Sequence, residues 1–114
     1  VEHIHSLGAL AKLHICGNTT GLIPDMIKTG ADIVDIDHLV LSMAPFASLL
    51  GPQQVFSGNT DPVAVIQNGK EETIRQHVRR CTGETGGRCI VSAGCEVTPG
   101  TSLTNMGIFA GTVG

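Results

Sequence analysis

Short apolar runs alternate along the chain with polar turns and amphipathic stretches. Residues 9–16 form the first run and predict a strand ending in His14-Ile15-Cys16-Gly17-Asn18-Thr19. Residues 21–29 predict a helix with Leu22, Met26 and Ile27 on one side. Pro24 falls in its first turn, where a missing N–H costs little, and Gly30 is a natural stop. Residues 32–37 (Asp-Ile-Val-Asp-Ile-Asp) are rich in β-branched side chains and predict a second strand. A helix over 41–50 is ended by Gly51-Pro52. A third strand over 54–57 closes on Gly58-Asn59-Thr60-Asp61-Pro62. A short helix over 62–67 and a longer one over 71–81, with Ile74 and Val78 four apart, lead to a fourth strand over 89–93. The last helix, over 102–110, is weakened by Gly107 and the following Gly111. A fragment of helix over 2–7 precedes the first strand.

The order βαβαβαβα implies an α/β fold with a parallel sheet and crossover helices. The strands are short and apolar, as strands covered on both faces are. The spacing between strand starts resembles the βα repeat of barrels. A Rossmann or flavodoxin-like sheet is the rival, and it predicts a phosphate-binding glycine loop after the first strand. Gly17-Asn18-Thr19-Thr20-Gly21 lacks the Gly-x-Gly-x-x-Gly spacing.

Composition narrows the function classes. The 114 residues are 41% hydrophobic and 15% charged, which excludes a disordered chain and allows one modest core. A net charge of -3 leaves no basic footprint for nucleic acid. No apolar run is long enough to span a bilayer, and no signal peptide is visible at the start. Tyr and Trp are absent, which is unusual for a complete core. Together with Val1 in place of Met and a glycine-dotted end, this reads as a segment of a longer polypeptide. Such a parallel sheet has two unpaired edges. The cysteines are Cys16, Cys81, Cys89 and Cys95. Without a secretory signal or high Cys density they read as reduced thiols of a cytoplasmic protein.

The chemistry-bearing residues gather at one end of the predicted sheet. His14 and Cys16 end the first strand, Asp37 the second, Asn59 and Asp61 follow the third, and Cys95 with Glu96 follows the fourth. In parallel α/β architectures that end is where active sites assemble. His14 and Cys16 are two apart, so an extended segment points both the same way. With Cys95 they would make an imidazole and two thiolates, a donor set suited to zinc. Three protein ligands leave a position open, which is the catalytic arrangement and not the structural one.

Blander readings stand beside these. Cys81 and Cys89 read as small packing residues. Asp35 and Asp37 share a face; they line the pocket, or they solvate an outer face and cap the next helix. Asp37 could also be a fourth ligand or a base. Asp61 reads either as a catalytic carboxylate or as the cap of the helix that starts at Pro62. His3, His5, His38 and His77 read as surface or helix residues. The run containing Glu71, Glu72, Arg75, Arg79 and Arg80 reads as a solvated helix face. Glu96 reads as a loop residue beside a ligand.

Four segments in this order, His14-Ile15-Cys16-Gly17-Asn18-Thr19, Gly30-Ala31-Asp32, Gly58-Asn59-Thr60-Asp61-Pro62 and Ser92-Ala93-Gly94-Cys95-Glu96 with Pro99-Gly100-Thr101, resemble the uroporphyrinogen decarboxylase superfamily. The likeness is greatest to its zinc branch, the methylcobamide:coenzyme M methyltransferases and related corrinoid-dependent enzymes. The resemblance implies a TIM (β/α)8 barrel of which residues 1–114 would be the C-terminal half, four βα units, with the sheet edges to be covered by the missing N-terminal half or by a homo-oligomer. It implies that His14, Cys16 and Cys95 hold zinc and that Asp37 matches the branch's acidic residue. Asn59 and Asp61 belong to a segment shared with the decarboxylases, and the resemblance makes them a cofactor-binding and a catalytic candidate. The implied reaction moves a methyl group from a methylcobamide, carried by a partner corrinoid protein, to a thiol such as coenzyme M. The alternatives are a decarboxylase acting on a tetrapyrrole, which needs no metal, and a non-catalytic half-barrel.

Overall fold

Four parallel strands pair in the order of the sequence: β1 (Lys12–Ile15), β2 (Ile33–Ile36), β3 (Val55–Thr60) and β4 (Cys89–Ala93). The computed structural model describes residues 1–113. Helix α1 (Glu2–Ser6) precedes the sheet, α2 (Ile23–Lys28) joins β1 to β2, α3 (Glu71–Glu84) joins β3 to β4, and α4 (Leu103–Val113) follows β4. Every connection steps to the next neighbour in the same direction. Right-handed crossovers of that kind place all the helices on one face of the sheet. A Rossmann or flavodoxin sheet reverses direction at a switch point, and this sheet has no reversal. The rival architecture is thereby excluded, and what remains is an arc of a barrel.

The core lies between the sheet and its helices. Val34, Ile36, Phe56 and Val91 project from the strands into it, meeting Met26 and Ile27 of α2, Ile74, Val78 and Cys81 of α3, and Phe109 of α4. The other face has a different character. Lys12, His14, Asp35 and Ser92 line an open cleft there, and the Ser57 and Ser92 hydroxyls lie 3.0 Å apart. Barrel interiors are commonly filled by branched apolar side chains; this cleft mixes those polar groups with Ala93 and Val97.

Several boundaries differ from the sequence expectation, each for a local reason. β1 is shorter than 9–16 because the Ala11 N–H is taken by the Asp32 carboxylate at 2.8 Å and not by a strand partner. The helix expected over 41–50 is a 3-10 helix over Ala44–Leu49. The segment has no buried residue to hold a longer helix. β3 runs on through Gly58, Asn59 and Thr60, where a turn is expected from the sequence. Gly58 permits this: its φ is +120°, and a Cβ would lie 2.4 Å from the Ile36 carbonyl oxygen, so only glycine lets β2 and β3 approach so closely. The short helix over Pro62–Gln67 is a single π turn, closed by Ile66 N–H to the Asp61 carbonyl. α3 extends to Glu84, one turn past the expected end. α4 is longer than expected despite its glycines, since Phe109 is buried and Arg75 of α3 donates to Thr112. Tertiary packing there offsets the poor propensity. Among the described residues no helix is long and apolar enough to cross a membrane.

Candidate metal centre

The inner end of β1 carries the first two donors. His14 lies in the strand and Cys16 just beyond it, and their Nε2 and Sγ atoms are 3.2 Å apart. Gly17, at φ +99°, then turns the chain away. Its N–H donates to Asp37 Oδ2 at 2.8 Å, which ties the loop after β1 to the loop after β2. Asp37 Oδ1 accepts from the Leu39 N–H at 2.8 Å. Asp37 is therefore buried and doubly bonded, and it fixes where Cys16 stands. It also comes close enough to take part: one donor atom each of His14, Cys16 and Asp37 lie within 4.8 Å of one another. Each of its oxygens keeps a second lone pair beyond the bond to the backbone.

Cys95 reaches the same place from the opposite edge of the sheet. It lines the cleft of about 560 Å³ with Lys12, His14, Cys16, Asp35 and Glu96. Crowding around the Cys16 sulfur pushes its pKa up, and the charge of Cys95 and a hydrogen bond to it add to the effect, with Asp37 contributing last. Both thiols line this cleft, from loops distant in sequence, but among the described residues the donor atoms within 4.8 Å of one another are those of His14, Cys16 and Asp37, not that of Cys95. Gly94 makes this approach possible. A Cβ at 94 would lie 2.2 Å from the His38 backbone nitrogen, so a side chain there would drive the loop carrying Cys95 off the loop carrying Asp37. The Gly94 N–H is anchored to the Thr60 carbonyl at 2.8 Å.

The other cysteines stand apart. Cys81 is fully buried in α3. Burial pushes the Cys89 thiol up to about 12, helped by Cys81, Asp35 and Glu84, so it is a packing residue with no thiolate at neutral pH.

Asn59 and Asp61 lie in a second cleft of about 320 Å³, with His38, His77 and Arg80. Asp61 Oδ1 accepts from the Val63 and Ala64 N–H groups at 2.8 Å each, capping the π turn. Asn59 is buried; its amide donates to the Val40 carbonyl at 2.6 Å, and its Oδ1 accepts from Arg80 at 2.8 Å. Asn59 braces the loop after β2 and Asp61 the turn after β3, and neither lines the cleft of the two sulfurs. His38, expected as a surface or helix residue, and Arg80, expected on a solvated helix face, turn inward instead. His38 lies 3.1 Å from Asp37 and 4.0 Å from Asp61, and Arg80 turns inward from α3 to Asn59 and the Leu41 carbonyl. Neither carries a periodic signal, because both contacts cross between elements. Sequence reasoning passed over the pairing of Asp35 with His14, which a register of His14 opposite Asp35 would have supplied.

The family profile described as uroporphyrinogen decarboxylase (URO-D) matches residues 1–114. The chain belongs to the uroporphyrinogen decarboxylase family. A methylcobamide:CoM methyltransferase, MtbA, of Methanosarcina mazei is 30% identical over 109 residues, covering 93% of this chain and 31% of that protein. A uroporphyrinogen decarboxylase of Thermus thermophilus is 33% identical over 97 residues, covering 82% of this chain and 27% of that protein. A solved methyltransferase structure from Methanosarcina mazei superposes with a TM-score of 0.83 at 21% identity, over 98% of this chain and 33% of that one. The chain thus spans about a third of the length of the relatives it matches. Its four-stranded sheet is part of the TIM-barrel-like fold of the uroporphyrinogen decarboxylase family.

Proposed function

We propose that this chain supplies the metal-holding part of a zinc-dependent methyltransferase, which moves a methyl group from a methylated corrinoid protein to a thiol such as coenzyme M. The observation that carries the reading is that His14, Cys16 and Cys95 line one cleft from opposite edges of the sheet, with His14 Nε2 and Cys16 Sγ 3.2 Å apart. One imidazole and two sulfurs suit zinc in donor chemistry, and three ligands leave a position for a substrate. His14 Nε2, Cys16 Sγ and Cys95 Sγ would hold the ion. Bound there, zinc supplies Lewis acidity that turns a substrate thiol into a thiolate at neutral pH.

The rest is the work of the chain's own groups. Asp37 holds Cys16 in place through Gly17, and Gly94 lets Cys95 close on it. Without a cation the Cys16 thiol is held in its protonated form, so loading the site releases protons and tightens as pH rises. The polar inner face, with Lys12 and Ser92, offers hydrogen-bonding groups to a small polar thiol. In the overall transfer a sulfur–carbon bond forms as the cobalt–carbon bond breaks, with the electron pair of that bond left on cobalt.

Metal analysis of the whole natural polypeptide tests the reading. Tight zinc at one per chain is expected, lost in Cys16→Ala and in Cys95→Ala. Zinc-free protein whose activity survives both substitutions would reject it. The decarboxylase reading draws on the 33% identity to the Thermus enzyme. It leaves the imidazole and the two sulfurs without a task, and turnover of a tetrapyrrole carboxylate by zinc-free protein would favour it.

A further inference from the structure

The polar row on the inner face contains a carboxylate that the methyl-transfer chemistry does not itself use. Parallel pairing places Asp35 of β2 directly opposite His14 of β1, with Ser57 of β3 next in the row. Asp35 Oδ2 lies 3.2 Å from His14 Nδ1 and 3.1 Å from Lys12 Nζ. Its other oxygen, Oδ1, is buried and has no hydrogen-bond partner among the described residues. Ser57 does not serve it, because its hydroxyl pairs with that of Ser92. A buried carboxylate oxygen left in that state weakens the fold and calls for another reason to be there.

We propose that Asp35 is the positioning residue of the metal centre: its carboxylate accepts from Nδ1–H of His14, so the ring presents Nε2, beside the Cys16 sulfur, as the donor. Imidazole has two nitrogens, and the one that carries the proton is set by the partner of the other. Nδ1 faces an anion, and Nε2 faces Cys16 Sγ at 3.2 Å. A proton on Nδ1 satisfies both contacts, with the thiol donating to Nε2 while no cation is bound. Lys12 Nζ lies near the same Asp35 oxygen and offsets part of its charge.

The inference rests on the zinc reading, and its test separates the two. Asp35→Ala, Asp35→Asn and His14→Ala are made in the whole natural polypeptide, with zinc affinity measured by chelator competition. The visible spectrum of the cobalt(II)-substituted protein reports ligand geometry. Asp35→Ala is expected to weaken zinc by about 10- to 100-fold and to shift the cobalt bands. Asp35→Asn, which keeps an acceptor but not the charge, is expected to lose about tenfold. If Asp35→Ala does not fold, the near-isosteric amide carries the test alone. A purely structural Asp35 would lower the melting temperature while leaving affinity and spectrum as in the parent, and that result overturns the proposal. Loss of zinc in His14→Ala alongside such a result would leave the metal centre standing. Unchanged zinc in His14→Ala would remove the metal centre and the positioning role together.

Discussion

Gly94→Ala tests how the fold couples to the proposed metal centre, because one methyl group strikes backbone there. The added Cβ would lie 2.2 Å from the His38 nitrogen, 2.8 Å from its Cα and 2.9 Å from its Cβ. None of these is the free end of a flexible side chain, so the strain cannot be relieved by a rotamer change. Restoring ordinary van der Waals contact requires the two loops to part by about 1 Å. Overpacking of this kind costs about 1–3 kcal/mol. The shift also moves Cys95 away from Cys16, and metal–ligand distances tolerate only about 0.2 Å. Zinc affinity is therefore expected to fall by more than about tenfold, which corresponds to about 1.4 kcal/mol. Gly107→Ala is the control: nothing lies within 4 Å of its Cβ position in α4. Alanine there is expected to stabilise by about 0.8–1 kcal/mol through helix propensity, with zinc unchanged. Urea unfolding of the metal-free protein and a zinc competition titration read the two effects separately. A Gly94→Ala protein with the parent's unfolding midpoint and zinc affinity would refute the steric reasoning.

Two further outcomes follow from contacts away from the metal centre. Asp61→Ala strands the Val63 and Ala64 N–H groups and is expected to cost about 0.5–2 kcal/mol in urea unfolding. Zinc affinity is expected to stay at the parental value in this variant; a loss of zinc with no loss of stability would contradict the capping role. Asp32 is held below the usual carboxylate range, first by the Ala11 N–H and then by His5. A depressed folded pKa gives stability that is present above the unfolded value of about 3.9 and disappears as pH falls through the folded one. The parent is expected to lose this contribution below about pH 4, so the gap in unfolding midpoint between it and Asp32→Asn closes on acidification. A gap that stays constant from neutral pH to about pH 2 would show that the ionised carboxylate is not its source.

Hydrophobic periodicity determined the element order, because β-branched runs of four to six residues and amphipathic stretches between them are local properties. The two-residue spacing of His14 and Cys16 likewise fixed them on one side of an extended segment, and Asp61 before Pro62 announced a cap. Element ends were less legible. The sequence reads Gly58-Asn59-Thr60 as a turn, yet those residues continue β3, since what decides their conformation is pairing with β2 and β4 on both sides. Likewise α4 tolerates two glycines because α3 packs against it. Strand order was decided only in three dimensions: an unreversed sheet and a Rossmann sheet share the same alternation along the chain, and differ in the direction of each crossover. The same holds for the site. Spacing along the chain does not say that Cys95 meets Cys16, that Asp35 faces His14 or that Gly94 must lack a side chain. Those depend on register and on the closeness of loops distant in sequence, and it is the non-local packing of four parallel strands that sets both.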